Sequence, residues 1–346
     1  MAGITPRHFF CLTSAANDGI LYLISPRALA FAVTHAGLSF FKGEFMAKPI
    51  YNKPPLTFQD QAKLLFSRKL TGIKELELLK ELERVSYYRL SGYAFPYQDK
   101  NKNDCFFEKN AWKLIKLDYE LDAVLRSFLF EAIGLIEIAL RTQLIYQMSI
   151  AHGANWYSDA SLFRDSAKLA KDHADLLKNW NRSSDLFVNH YNAVYDTSKE
   201  PPAWMIFETT TFGSLSRYFE NIKIKDCGKN AVCNYWHVTD RKDYATFSNW
   251  LKNVNTVRNI CAHHSRLFSK VFPYKALPLV KCLDRNFVMN WASNTKIYAS
   301  ICIIRNMLLV CAPEFKFAKK LKAVLKRASK KQLAVMGFPF DWKKAF

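Results

Sequence analysis

The chain has 346 residues, of which 50% are hydrophobic and 15% aromatic, but only 11 are glycine and 12 are proline. This length suffices for one large or two medium domains with a buried core. So few glycines and prolines argue against a fold of many short strands and tight turns. The net charge of +20 favours a polyanionic partner, most often RNA or DNA, although a merely basic globular protein would carry it too.

The eight cysteines are scattered along the chain, and no two of them form a C-x-x-C pair. This pattern fits a reducing cytoplasm, where free cysteines in apolar helices act as small hydrophobic residues. Cys227, Cys233 and His237 are close in sequence, but a fourth ligand and the usual spacing of zinc sites are missing. We therefore predict a cytoplasmic protein with no metal site and no other cofactor.

Residues 1–45 differ from the rest of the chain. The apolar run at 20–41 is interrupted by proline, arginine and histidine, so it is too broken for a transmembrane helix. The segment also lacks the basic start and the cleavage site of a signal peptide. Met46 opens a polar stretch that is typical of a natural start. We predict that 1–45 is a non-native or disordered extension and that the protein has no membrane partner.

Residues 46–110 are predicted to form an N-terminal helical segment. Thr57 is followed by Asp60 at the spacing of a helix cap, and a second amphipathic helix covers 74–85. The stretch 86–97 is rich in aromatic residues and contains Tyr88 and Arg89. One interpretation is a platform on which RNA bases stack. The other, which we favour, is a helix end that packs its aromatic side chains into the core.

Residues 111–346 are predicted to form the main helical domain. Its longest helical pattern covers 112–152 and carries Glu137 and Arg141, four residues apart. This pair is either exposed and of little energetic value, or buried and able to orient the helix of the active site. Further helices are predicted over 168–195, 203–219, 227–236, 243–267, 296–310 and 314–332. The last is basic, and its Lys326 and Arg327 either contact an RNA backbone or form a solvated face.

The helix at 243–267 carries the most informative motif. Arg258, Asn259, His263 and His264 lie within seven residues, so a permanent cation stands beside two titratable imidazoles. Such groups suit the handling of a phosphodiester. Alternatively, Asn259 and His263 are buried in hydrogen bonds near the end of the helix. The string R-N-x-x-A-H-H resembles the R-x(4–6)-H motif of the HEPN ribonuclease superfamily, in which a polar residue, often Asn, follows the Arg.

Beyond this motif, the chain resembles the Abi family, the AbiD/AbiF-type abortive-infection proteins of bacteria, from about residue 53 to the C terminus. The segments that carry the resemblance are 53–58 (KPPLTF), 87–93 (YYRLSGY), 136–142 (IEIALRT) and 257–266 (VRNICAHHSR), with shorter pieces at 202–205 (PAWM), 211–216 (TFGSLS) and 336–339 (MGFP). Several motifs in this order are far more specific than any one of them.

The resemblance implies an all-α fold, a HEPN-like helical bundle with additional helices and no significant β-sheet. It also implies a metal-independent endoribonuclease that acts as a toxin in phage defence and is held in check, in some members, by a small RNA antitoxin. HEPN sites are usually composite, and this chain has one convincing motif. We therefore expect a homodimer in which two motif helices face each other across an RNA substrate.

The same resemblance suggests roles for individual residues. His263 would act as general acid or base, Arg258 would stabilise charge on the phosphate, and Asn259 would orient it. His264 is either a second proton-transfer group or a structural neighbour. The residues predicted to contact RNA are Tyr88, Arg89, Arg141, Arg266, Lys326 and Arg327, and those predicted to support the site are Glu137 and Glu208. Two alternatives remain: a non-catalytic RNA-binding module, and an interaction protein that senses a phage component.

Overall fold

The structure is a computed structural model that describes residues 31–34, 37–40, 51–278, 294–344 and 346. The chain forms two compact units, Met1–Pro55 and Leu56–Phe346. In the first, strands β1 (Phe31–Thr34) and β2 (Gly37–Phe40) pair antiparallel. The rest of the predicted extension at 1–45 lies outside the described residues, and its nature stays a prediction.

The second unit is helical, and both the predicted segment at 46–110, from residue 56 onward, and the main helical domain fall within it. The helices that the structure describes are α1 (Phe58–Ser67), α2 (Glu75–Val85), α3 (Tyr87–Ala94), α4 (Ala111–His152), α5 (Ser166–Arg182), α6 (Leu186–Val194), α7 (Ala203–Ile206), α8 (Phe212–Asn221), α9 (Cys227–Tyr235), α10 (Tyr244–Ala262), α11 (Ile297–Cys311), α12 (Phe317–Val324) and α13 (Lys330–Val335).

Two further short strands, β3 (Gln98–Asp99) and β4 (Cys105–Phe106), pair antiparallel beside α3 in sequence. The strands of the described residues are thus limited to two small hairpin-like pairs. The prediction of an all-α fold without a significant sheet is confirmed. Among the described residues, no helix combines the length and the apolar character needed to cross a membrane.

Helix α4 is the axis of the second unit. It has 42 residues and is therefore about 60 Å long. It packs against α3, α7, α8, α9, α10, α11 and α12. Apolar side chains that recur every three or four residues are fully buried along it, namely Leu125, Leu129, Ala132, Ile136, Leu140, Leu144 and Met148. Because so many helices contact this one seam, α4 sets the positions of residues that are far apart in sequence.

Two aspartates interrupt the apolar seam of α4 near its start. Asp118 and Asp122 are buried, and each accepts a hydrogen bond from a buried tyrosine. The two tyrosines, like the two aspartates, are four residues apart in the sequence. Tyr97 donates to Asp118 at 2.7 Å, and Tyr93 donates to Asp122 at 2.6 Å. Since the cost of burying these polar groups is offset only when they are paired, the two bonds fix the position on α4 of α3 and of the 3₁₀ turn Phe95–Tyr97 that follows it.

Helix ends account for the main differences from the sequence predictions. The cap at Thr57 is confirmed, because its hydroxyl accepts from the Asp60 N–H at 3.1 Å. The motif helix, predicted over 243–267, ends instead at Ala262. The basic helix predicted over 314–332 is also wrong as one element. It divides into α12 and α13, because Ser329 forms a capping box with Gln332 and starts a new helix.

A buried lysine closes the end of α8. Lys229 is 2% exposed, and its ammonium donates to the carbonyl oxygens of Phe219 at 2.8 Å and Ile222 at 2.9 Å. These carbonyls belong to the last turn of the helix, where no intrahelical donor remains. Burial lowers the pKa of Lys229 from 10.5 to about 8. The charged form is therefore held in place at a cost in desolvation.

We expect Lys229→Met to lower the free energy of unfolding by about 2 kcal/mol at pH 7, because the carbonyls of α8 lose their donor. Because the pKa of Lys229 is lower in the folded than in the unfolded state, the unfolded chain binds more protons between pH 8 and 10.5. The difference between wild type and variant should therefore grow as pH rises through that window. Urea unfolding at several pH values measures it. Lys225→Met, at an exposed neighbour, is the control, and equal effects of the two substitutions would contradict the assignment.

Candidate active site

Arg258 lies on the face of α10 that is turned towards α4. Its Nε is 3.4 Å from Oε2 of Glu137, and its guanidinium carbon is 5.9 Å from the ring centre of Phe130. The side chain of Arg258 is 29% exposed, whereas that of Glu137 is 14% exposed. The Nε atom is enclosed and makes no hydrogen bond, so the carboxylate attracts the guanidinium through its charge alone. The interaction sets the direction of an otherwise flexible side chain.

Glu137 is itself held by a second arginine. Arg141 Nη2 donates to Oε1 of Glu137 at 3.2 Å and to the carbonyl oxygen of Thr210 at 3.1 Å. Its Nη1 is 3.7 Å from Oε2 of Glu208, which lies in a short 3₁₀ turn after α7. A chain of ion pairs therefore runs from Glu208 through Arg141 and Glu137 to Arg258. Of the two interpretations of the Glu137–Arg141 pair, the structure shows the largely buried one, with Arg141 only 15% exposed.

The end of α10 places the two histidines outside the helix. The Ser265 N–H donates to the carbonyl of Ile260 at 2.9 Å, and the His264 N–H donates to that of Cys261 at 3.1 Å. This is the hydrogen-bond pattern of a Schellman cap, in which the residue after the C-cap adopts a left-handed conformation. His264 occupies that position with a φ of +54°. His263 is the C-cap, with a φ of −89°.

Asn259, His263 and His264 are all exposed. The alternative in which Asn259 and His263 are buried in hydrogen bonds near the helix end is therefore wrong. Exposed imidazoles at the end of a rigid helix are free to approach a bound ligand. The structure thus places Asn259 and the two histidines at the surface, on the helix whose Arg258 pairs with Glu137 of α4.

A buried carboxylate anchors the segment that follows the motif. Oδ1 of Asp122 accepts hydrogen bonds from the backbone N–H groups of Leu267 at 3.0 Å and Phe268 at 2.7 Å. Oδ2 accepts from Tyr93 at 2.6 Å and pairs with Arg126. Burial raises the pKa of Asp122, and these hydrogen bonds and the charge of Arg126 act against that rise. Neither aspartate of the α4 seam was singled out from the sequence, although acidic residues in line with an apolar stripe were a usable signal.

An open groove of about 540 Å³ lies between α3 and the residues just after the motif. Tyr88, Arg89 and Arg266, all predicted to contact RNA, line it. Arg89 donates to the carbonyl of His264, and Arg266 donates to that of Gly92, so both arginines link the two walls. The groove is therefore continuous with the end of the motif helix.

The aromatic stretch in this wall divides between its two interpretations. Tyr93 and Tyr97 are buried and pack into the core, whereas Tyr88 is 88% exposed and Phe95 is 54% exposed. The packing interpretation is confirmed for Tyr93 and Tyr97, and base stacking on the exposed rings stays a prediction. Only the exposed rings are available to a ligand.

Lys326 and Arg327 are placed differently. Both are exposed in the turn that follows α12, and the described part of the chain shows no contact between them and the motif. Their proposed contact with RNA stays a prediction. Among the described residues, the ligand atoms of Cys227, Cys233 and His237 do not form a cluster.

Comparison with protein-family models matches residues 80–269 to the family described as Abi-like protein. The matched region covers more than half of the 346 residues. It includes the groove wall at α3, the ion-pair chain on α4 and the whole motif. No curated protein and no solved structure gives a significant match.

We expect His264→Gly to raise the free energy of unfolding by about 1 kcal/mol, because glycine adopts the left-handed conformation without the clash of a Cβ atom. The midpoint of thermal unfolding should rise by about 2 °C. His263→Gly is the matched control, since its φ of −89° offers glycine no advantage, and it should lower the midpoint. A fall of similar size in both variants would show that the His264 side chain makes a stabilising contact.

Proposed function

Because the chain belongs to the Abi-like protein family, we propose that it serves in bacterial abortive infection as a metal-independent endoribonuclease of the HEPN type. The observation that carries this proposal is the state of the motif. Arg258 is oriented by the largely buried Glu137, while Asn259 and His263 are exposed at the end of the same helix. A cation and exposed imidazoles at the end of one helix suit the cleavage of a phosphodiester.

The proposed reaction uses the 2′-hydroxyl of RNA as nucleophile. One imidazole accepts the proton of this hydroxyl as the oxygen attacks phosphorus, and an acid returns a proton to the 5′-oxygen as its bond to phosphorus breaks. The products are a 2′,3′-cyclic phosphate and a free 5′-hydroxyl. His263 is the first candidate for the proton transfer. His264 is either the second proton-transfer group or a structural residue of the Schellman cap.

Arg258 would stabilise the charge on the phosphate. Its Nε faces Glu137, so its two Nη groups remain for a bidentate contact with phosphate oxygens. Asn259, exposed beside it, would orient the phosphate or its neighbour. In this arrangement Glu137 is a positioning residue, and Arg141, paired with Glu208, holds Glu137 in place. Arg141 would then act on the RNA indirectly, through Glu137 and Arg258.

The groove at α3 offers a path for the RNA strand. Tyr88 presents an exposed ring on which a base can stack, and Arg89 and Arg266 bring positive charge to the same surface. We propose that the strand leaves the scissile phosphate along this groove. As one chain carries one motif, the composite site would form between two copies of the chain. A small RNA that fills the same surface would act as the antitoxin.

A second candidate is a cytoplasmic RNA-binding module without catalysis. The exposed Tyr88, in a groove that Arg89 and Arg266 also line, favours it, because such a surface binds single-stranded RNA whether or not the motif cuts it. The net charge of +20 serves both functions equally. A sensor of phage components is the remaining alternative, and it would neither bind nor cut RNA.

We expect the purified protein to cleave a mixed RNA pool in EDTA and to leave 2′,3′-cyclic phosphate ends. The Arg258→Ala/His263→Ala double variant should yield none, while DNA should stay intact because it lacks the attacking hydroxyl. Denaturing gels with end-group analysis give the result. Cleavage that survives in the double variant, or DNA cleavage that depends on His263, contradicts the proposal. Tight RNA binding without cleavage by either protein favours the second candidate.

Glu137→Gln tests the positioning role separately. The amide keeps the shape of the side chain but removes the charge that holds Arg258, so we expect the rate of cleavage to fall about 10-fold to 100-fold. Thermal unfolding should show that the fold persists. The control is Glu131→Gln, at an exposed carboxylate on the same helix whose ion-pair partner is Lys320 of α12. Equal rates in all three proteins would remove Glu137 from the site.

A further inference from the structure

Three side chains with metal-ligand atoms meet where α4 ends and α9 begins. His152 is the last residue of α4, Asp226 is the N-cap of α9, and Cys227 is its first residue. Their donor atoms all lie within 4.8 Å of one another. His152 lies about 22 Å along α4 from Glu137, so this cluster is separate from the candidate active site.

The two neighbours of His152 face the same ring nitrogen. Nε2 is 2.7 Å from Oδ2 of Asp226 and 3.9 Å from Sγ of Cys227. In a tetrahedral zinc site, bond lengths of about 2.0 to 2.3 Å separate the donor atoms by about 3.4 to 3.6 Å. Both distances differ from this range by less than 1 Å. The ligand atoms of Asp226 and Cys227 lie within 4.8 Å of each other, so side-chain rotations would bring all three donors around one ion.

The backbone holds these residues in place without the help of an ion. Asp226 caps α9 with Oδ1, which accepts from the Lys229 N–H at 2.9 Å, so Oδ2 remains directed at His152. Gly228, the residue after Cys227, lies directly against α4. A Cβ there would come within 2.6 Å of the Met148 sulfur and 3.2 Å of its Cα. The start of α9 is thus pressed against the last turns of α4, and the cluster is preorganised.

The types of donor atom in this cluster, and its partial exposure to solvent, suit an ion of intermediate softness such as zinc. A thiolate, an imidazole and a carboxylate are the three ligand types that zinc takes from proteins. Asp226 and His152 are largely buried, with side chains 7% and 20% exposed, whereas Cys227 is exposed. The exposed side gives an ion a way in and leaves the fourth position to water.

We propose that His152, Asp226 and Cys227 bind one zinc ion that joins the end of α4 to the start of α9. Binding takes up Zn²⁺ and releases the thiol proton of Cys227 to solvent, while the hydrogen on Nε2 of His152 passes to solvent and Nδ1 takes one up, so that Nε2 can bind the ion. The ion replaces the hydrogen of the His152–Asp226 pair as the link between the two helices. This proposal is independent of the proposed ribonuclease activity, for which we propose no metal.

Titration of the untagged full-length chain with Co²⁺ in a non-chelating reductant tests this site. We expect one ion per chain, with the near-ultraviolet absorption of a thiolate–cobalt bond, and displacement of cobalt by Zn²⁺. Cys227→Ser should abolish that absorption. His152→Gln and Asp226→Asn should each weaken binding at least tenfold, and Asn retains the capping ability of Asp226. Cys105→Ser, at a partly exposed cysteine elsewhere, should behave as wild type.

Two results would overturn the proposal. One is the lack of stoichiometric uptake by the wild-type chain, which would leave His152 and Asp226 as an ion pair alone. The other is a Cys227→Ser variant that binds cobalt with unchanged affinity and absorption. Because Cys227 is exposed, this variant remains informative even if His152→Gln fails to fold. RNA cleavage in EDTA is measured separately, so failure of either proposal is seen without the other.

Discussion

The carboxylate of Asp122 is the interaction on which the arrangement of the candidate site depends. It is buried in α4 and binds the hydroxyl of Tyr93, the guanidinium of Arg126 and two backbone N–H groups at the start of the segment after the motif. Loss of such a group would leave several buried donors without a partner, at about 1–3 kcal/mol each. One side chain therefore joins α3, α4 and the end of the motif, and with them both walls of the groove.

The same helix fixes the motif from two sides. Glu137 holds Arg258 before the end of α10, and Asp122, 15 residues earlier on α4, holds the chain just after it. The motif therefore lies between two anchors on one rigid element, about 22 Å apart along its axis. Between these anchors the two histidines are exposed and are not used in packing. Rigid support beneath free functional groups is the condition for preorganised catalysis.

His264 shows a conflict between local preference and position. The Schellman cap calls for glycine, yet a histidine stands at a φ of +54°. Its backbone carbonyl receives the guanidinium of Arg89, so the strained residue also joins the motif to the groove. Local strain that the surrounding structure maintains is typical of functional sites. The cap also explains why the imidazoles leave the helix axis instead of continuing along its surface.

The sequence by itself determined the helical class, most helix positions and the motif, because apolar periodicity, caps and the R-N-x-x-A-H-H string are local properties. It also suggested the Glu137–Arg141 pair, since four residues define a helical face. Only the tertiary structure decided that this pair is buried against Arg258, that Tyr88 is exposed while Tyr93 is not, and that His152 meets Cys227. Each of these depends on contacts between segments far apart in the chain, and helical periodicity carries no information about which faces meet.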